Sequence, residues 1–540
     1  MAKTLMNTSE KSNFILNMTE ETYTKLATCG LAAACFTVSL LTALPEINSD
    51  HTYSIATVGL AIPGVFCLIT ALIAIMKKYI DPKKLLPVIS FAALIGWSTV
   101  SMLDSYDKHI GFYGFPQRGE GVLSTIFYCG FFITGMTLKR KKAIRLIIDS
   151  IILSGLLNSV WALIQIFTPN HKLSHYSQIS IFFDFAASGL AHSPIFLAFL
   201  LTMSLTAALV TAVTESDLTK RVFCIGSSVI FAFVMLYTYN RMIIFGLIFA
   251  AVAAILAIFI SKSPKIRLVT IAAPLAGFVL AFALINNGVG HTIFKFQLRD
   301  GYILWTGDSY KRISASGNYQ PKSIDISDVS DVYSHINSKT ANILSDHKLT
   351  GSGPEQLLYP QIYTLRNIKG AKMDSMTDII SVNIGTFDKC YNEYLYIGAT
   401  RGIIALISLV VLVLSILWIS MQNVRKNHDK DTLTLFFITL GGALGFILCC
   451  SNIVIAPIFW AAAGASCASV DKIYLKGSKD SENNKKTDNS KKDASKPTEN
   501  KTNDKPANKK APAAKNDQKK KTAVIKRKQI RNNRICPLQM

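Results

Sequence analysis

Charge is scarce through most of this sequence. Asp, Glu, Lys and Arg make up 17% of 540 residues, against 50% hydrophobic ones, and the few charges are unevenly spread. Length alone would suggest several soluble domains. Long stretches without an ionisable group exclude that and point to a polytopic membrane protein with a polar tail. Paired cysteine chemistry is also missing. Cys29, Cys35, Cys67, Cys129, Cys224, Cys449, Cys450 and Cys467 lie inside apolar runs, where a small, weakly polar side chain packs well. Only Cys390 and Cys536 fall in polar segments, and no CxxC pair or Cys/His cluster offers a zinc site. A cleavable leader is not expected, because residues 1–21 are polar and the first apolar run is long enough to span.

What is present is a series of twelve apolar runs, near 26–45, 54–76, 85–103, 122–138, 146–167, 192–214, 222–239, 242–261, 268–287, 402–421, 433–450 and 453–470. Each approaches the roughly 20 residues a spanning helix needs, with 122–138 and the last two short. Alternate connections carry Lys77, Lys78, Lys83 and Lys84, then Lys139 to Lys142 and Arg145, then Lys220 and Arg221, then Lys262, Lys265 and Arg267, then Arg425, Lys426 and Lys430. Positive charge stays cytoplasmic, so both termini are expected inside, a parity that twelve helices satisfy.

The expected architecture is all-α: about 12 transmembrane helices, one large extracytoplasmic loop and a disordered basic C-terminal tail. Its parts are a cytoplasmic N-terminus (1–25), a nine-helix membrane region (26–287), the large loop (288–401), a three-helix membrane region (402–470) and the tail (471–540). The loop interleaves Tyr, Trp, Phe and Ile with polar residues, which predicts a partly folded lid with local helices, and loops of that length are usually functional or disordered. The tail holds 21 Lys and Arg against 8 Asp and Glu, so it supplies +13 of the net +23. Its Lys, Asn, Asp, Ser and Pro cannot bury enough apolar surface to fold. Beside a membrane, its expected partner is the anionic lipid surface rather than a specific nucleic acid, with a plain solvated tether as the alternative.

Four stretches carry the polar groups that stand out. Arg241 follows TYN at the outer end of the seventh run, where a lone Arg breaks the charge rule. It either grips phosphate oxygens with its planar fork or anchors the helix at the interface. Residues 184–194 read DFAASGLAHSP, with His192 as a site residue or a helix-end residue. Residues 345–356 read SDHKLTGSGPEQ, where His347 precedes Gly351 and Gly353. Such a turn either presents backbone N–H groups to an anion or simply ends a helix. Residues 390–406 read CYNEYLYIGATRGIIAL. There Tyr391, Asn392 and Glu393 suggest a polar site, Tyr394 and Tyr396 suggest interfacial anchors, and a Glu393–Arg401 pair would need a bend at Gly398.

Taken in order, SGLAHSPIFLAFLL, YNRMIIFGL, DHKLTGSGPEQ and CYNEYLYIGATRGIIALI resemble the O-antigen ligase and polymerase family of bacterial surface-polysaccharide proteins, over roughly residues 185 to 420. The resemblance implies glycosyl transfer at the outer face of the bacterial plasma membrane, without a cofactor or metal. The implied donor is an undecaprenyl-pyrophosphate-linked glycan, and the acceptor is another glycan or a surface molecule. It implies that outward arginines hold the pyrophosphate: Arg241, with Arg299 and Arg312 standing in for an arginine absent near Tyr333 to Asn337. It also implies a loop histidine as base, and that position is Tyr391 here. Glu393, His335 or His347 would have to replace it, with Tyr391 and Asn392 completing the catalytic group. The missing histidine leaves open a catalytically silent relative that binds the lipid-linked glycan as a scaffold. A secondary transporter fits less well, since no internal repeat is visible and Asp149 is the one acid inside an apolar run.

Overall fold

The computed structural model describes residues 18–48, 55–114, 118–167, 186–191, 193–287, 289, 294–299, 302–307, 326–361, 389–427 and 429–468. The expectations for the tail, Cys536, His192 and Arg312 lie outside these residues. The described residues all fall in one compact unit, Met1–Lys472.

Every apolar run read from the sequence forms a helix. In chain order they are α1 (Glu20–Asn48), α2 (Ile55–Met76), α3 (Leu85–Leu103), then a short α4 (Lys108–Tyr113), α5 (Val122–Met136), α6 (Lys141–Phe167), α7 (Pro194–Thr214), α8 (Leu218–Leu236), α9 (Met242–Ile260) and α10 (Ala273–Asn286). An antiparallel hairpin follows, β1 (Phe294–Arg299) with β2 (Tyr302–Gly307), in the register Phe294 opposite Gly307. Then come α11 (Ile326–Asp346), α12 (Glu393–Arg401), α13 (Ile403–Asn427), α14 (Lys430–Gly445) and α15 (Ile455–Cys467). The structure is otherwise helical as expected, and the region between α10 and α13 adds these two strands to the expected local helices. Among the described residues, nine helical segments are long and apolar enough to cross a membrane. The chain is therefore an α-helical membrane protein. The other three runs give shorter helices, α5 with 15 residues, α14 with 16 and α15 with 13.

The reason for this arrangement is visible in the side chains. α7 is apolar on all sides and is buried on all sides, at the centre of the bundle, as expected for a helix without a polar face. The peripheral helices turn Ile62, Ile244 and Leu414 outward, each about 60% exposed. Water would penalise such a surface, whereas lipid would not. α15 lays its small-residue stretch AAAGAS against α5, and small residues let helix backbones approach closely.

The two ends of the bundle differ. At one end the basic connections meet acidic partners. Arg145 binds Glu215 (2.7 Å), Asp431 (2.8 Å) and Asp149 (3.3 Å), so the acid inside the fifth apolar run belongs to this ion-paired group. Lys139 pairs with Glu20, Arg140 with Glu21, Lys141 with Asp429, and Lys430 with Glu215. The Lys84 ammonium donates to the Cys467 carbonyl, and the Arg267 guanidinium to that of Val213. The opposite end carries the polar motifs.

Candidate functional site

α12 begins where it does because the Asn392 side-chain oxygen accepts the Leu395 N–H (3.1 Å), and it stops at Gly402, whose φ is +85°. That C-terminal end is held by the turn that follows α11. In that turn Gly351 and Gly353 have φ of +69° and +100°, and a Cβ on Gly351 would lie 2.3 Å from the Thr400 carbonyl carbon. Only glycine fits such a backbone without strain. Its N–H groups are already committed: Gly351 donates to His347, Ser352 to Ala399 and Gly353 to Thr400. Of the two readings of this turn, an anion cradle or a helix end, the bonds support the second: its N–H groups close off α11 and dock onto the end of α12. Trp97 and Ser101 of α3 donate to the Leu349 and Thr350 carbonyls and complete the dock, while Gln356 reaches across to the Asp107 backbone.

Two residues beyond Gly353 stands Glu355, whose φ is +62° and whose side chain is buried. One carboxylate oxygen accepts the Tyr396 hydroxyl at 2.6 Å, and the other pairs with Arg118 at 3.0 Å. Lys389 lies 3.7 Å from Glu355, is bonded to Glu120, and donates to the Ser451 carbonyl at 2.9 Å. Burial pulls the Lys389 ammonium toward neutrality, but Glu120 and Glu355 outweigh it and hold its pKa above the usual lysine range. Burial and the Glu355 carboxylate together push the Tyr396 hydroxyl well above its ordinary value. Arg401 closes the far side, donating to Ser98 (3.2 Å), Thr125 (2.9 Å) and the Glu120 carbonyl (3.3 Å). Ser98 sits 13 residues along α3 from Leu85, roughly 20 Å at 1.5 Å per residue. The site therefore lies below the far end of that helix.

Glu393 faces the same region. One of its oxygens accepts the Ser451 N–H at 2.8 Å, and its own N–H donates to the Phe446 carbonyl. Burial, reinforced by the Glu120 carboxylate and opposed by Lys389, pushes its carboxyl up to about 7. The pair with Arg401 is not formed. α12 runs through Gly398 without a bend, and the Arg401 guanidinium is bound elsewhere. Tyr394 and Tyr396 are not surface anchors either: both turn inward, Tyr394 donating to the Ala443 carbonyl (2.9 Å). Arg241, just before α9, donates to the carbonyls of Tyr391 (3.0 Å) and Leu448 (2.7 Å) and lies 5.9 Å from the Tyr391 ring. Two motifs that are 150 residues apart in sequence are thus in direct contact. Cys390 is buried, which pushes its thiol up to about 12 and leaves it unreactive.

Arg299 ends β1 opposite Tyr302, His335 lies on α11, and half-buried His347 gives its carbonyl to the dock. Glu120, Lys389, Glu355 and Arg118 were not singled out by the sequence, although GSGPEQ contains Glu355. The one available signal was a single charged residue set flush against an apolar or aromatic run, as Glu120 stands before α5 and Lys389 before CYNEYLY. No family model matches the chain, and no curated protein matches it.

Proposed function

We propose that the protein is a membrane glycosyltransferase, acting as polymerase or ligase on an undecaprenyl-pyrophosphate-linked glycan. In this reading twelve spans place the polar end on the outer face of a bacterial plasma membrane, with both termini cytoplasmic. The observation that carries it is the meeting of Arg241 with Tyr391, two residues before the buried carboxyl of Glu393. The acceptor hydroxyl attacks the anomeric carbon, the bond to the pyrophosphate breaks, and the hydroxyl proton passes to Glu393. The departing pyrophosphate gathers negative charge, which the Arg241 guanidinium offsets.

A second reading, a silent relative that binds the same lipid-linked glycan, is favoured by two contacts. The Asn392 oxygen is used to cap α12, and a Glu393 oxygen already holds the Ser451 N–H. Surface glycan from a strain lacking the gene separates the two readings when it is complemented with variants. Arg241→Ala is expected to abolish polymer or ligated product while the protein still inserts, and Arg241→Lys to rescue poorly, because an ammonium lacks the fork. Wild-type product in Arg241→Ala would remove this arginine from the mechanism. No product from the wild type, with product appearing in Tyr391→His, would select the silent relative.

A further inference from the structure

Beneath α12 lies a cavity of about 40 Å³, bounded by α3, α5, α12, α13 and α15. Its polar wall includes Glu393, Glu120, Arg401 and Tyr128, and its apolar wall includes Leu94, Leu409 and Trp460. A water needs at least about 10–15 Å³ of such space and two to four polar partners, so the cavity admits a few waters and no sugar ring. One of its buried polar atoms, the Arg401 Nε, has no hydrogen-bond partner, on a side chain 5% exposed, and the Tyr128 hydroxyl, on a side chain 6% exposed, has only Ser124 beside it. Leaving a buried polar group without a partner is costly, so an unpartnered guanidinium Nε on a side chain that lines a polar cavity points to solvent within it.

We propose that this cavity holds a cluster of about two or three waters, ordered by Tyr128 and Arg401, through which the Glu393 carboxyl exchanges its proton. In each step an O–H bond at Glu393 breaks and one forms on the neighbouring water, which breaks one of its own O–H bonds and passes that proton to the next water, so that the proton leaves along the cluster; no electrons are exchanged. The charges facing Glu393 make it exchangeable. Glu120 favours the protonated form, while Lys389, Arg401 and the Ser451 N–H favour the ionised one. Glu355 stands across the cavity, tied to Arg118, and the Cys449 and Cys450 thiols lie on the loop beside Ser451. This proton site does not depend on glycosyl transfer: it would serve the base of an enzyme, and it would persist in a silent relative.

The test is infrared difference spectroscopy on the full chain in lipid nanodiscs, titrated across neutral pH in H2O and D2O. A protonated-carboxyl band is expected that loses intensity as pH rises through neutrality, shifts on transfer to D2O and is absent in Glu393→Gln. Tyr128→Phe keeps the packing but removes the hydroxyl that orders the water beside the carboxylate form, and should raise the midpoint by about one pH unit. A band that never shifts in D2O would mean a dry cavity and overturn the proposal. So would an unmoved midpoint in Tyr128→Phe, or a band that survives in Glu393→Gln. If Glu393→Gln does not fold, the D2O shift and the Tyr128→Phe midpoint decide alone. None of these readouts needs turnover, so the glycosyltransferase reading can fail while the proton site stands.

Discussion

Lys389 brings an ammonium into the protein interior, where Glu120, Glu355 and the Ser451 carbonyl replace its water. Replacing both members of such a pair by neutral groups is often tolerated, whereas removing one leaves a buried charge without compensation. Lys389→Met should therefore lower stability by about 3–5 kcal/mol, read as a fall in the thermal midpoint of the purified protein. Adding Glu120→Gln should recover part of the loss. A single variant as stable as wild type would show that the cluster is not ion-paired. Glu393 behaves differently, because its folded pKa lies above the ordinary carboxyl value of about 4.3. Between that value and about 7 the folded protein keeps a proton that the unfolded chain has released. Stability contributed by this group is thus full below about 4.3 and is lost as pH rises through the window. Thermal midpoints of Glu393→Gln should fall less than those of wild type between pH of about 5 and 8. Parallel curves would argue against a raised pKa.

At the scale of single elements, α12 is a nine-residue helix held at both ends, by the Asn392 cap and by the glycine dock. Loss of a cap costs about 0.5–2 kcal/mol. Asn392→Ala should destabilise by that amount, and Asn392→Asp should restore most of it, because a carboxylate oxygen also accepts the Leu395 N–H. Product formation by these two variants decides what the amide does. If Asn392→Asp folds like wild type and yields wild-type product, the residue is a cap. If it folds and yields none, the amide takes part in the chemistry.

The whole molecule is polarised. The basic connections gather at one end of the bundle with Glu20, Glu21, Glu215 and Asp431, and the glycine dock and α12 gather at the other. Positive charge favours the cytoplasmic side. In a cysteine-free background, single cysteines at His109 and Leu349 should react with impermeant reagents in intact cells, and one at Lys83 should not. The reverse pattern would invert the orientation and remove the outer-face reading of the site.

The sequence by itself determined the helices and their polarity. A membrane-length apolar run in lipid has no alternative to satisfying its backbone internally as a helix, and Lys and Arg clusters mark its ends without reference to the rest of the fold. It also pointed to Arg241 and Glu393, because polar groups beside apolar runs are locally anomalous. Which groups would meet was decided only by the tertiary structure. Glu120, Glu355 and Lys389 come from connections up to 269 residues apart, and nothing in local spacing tells a charge facing water from one turned inward. The turn after α11 makes the same point. Two glycines announced an unusual backbone, but whether its N–H groups would face an anion or the end of α12 depended on what packed against them. Tyr396 was legible as an aromatic at a boundary, yet its hydroxyl is buried on Glu355. A partner for that hydroxyl inside the fold makes burial favourable, and only the assembled bundle supplies it.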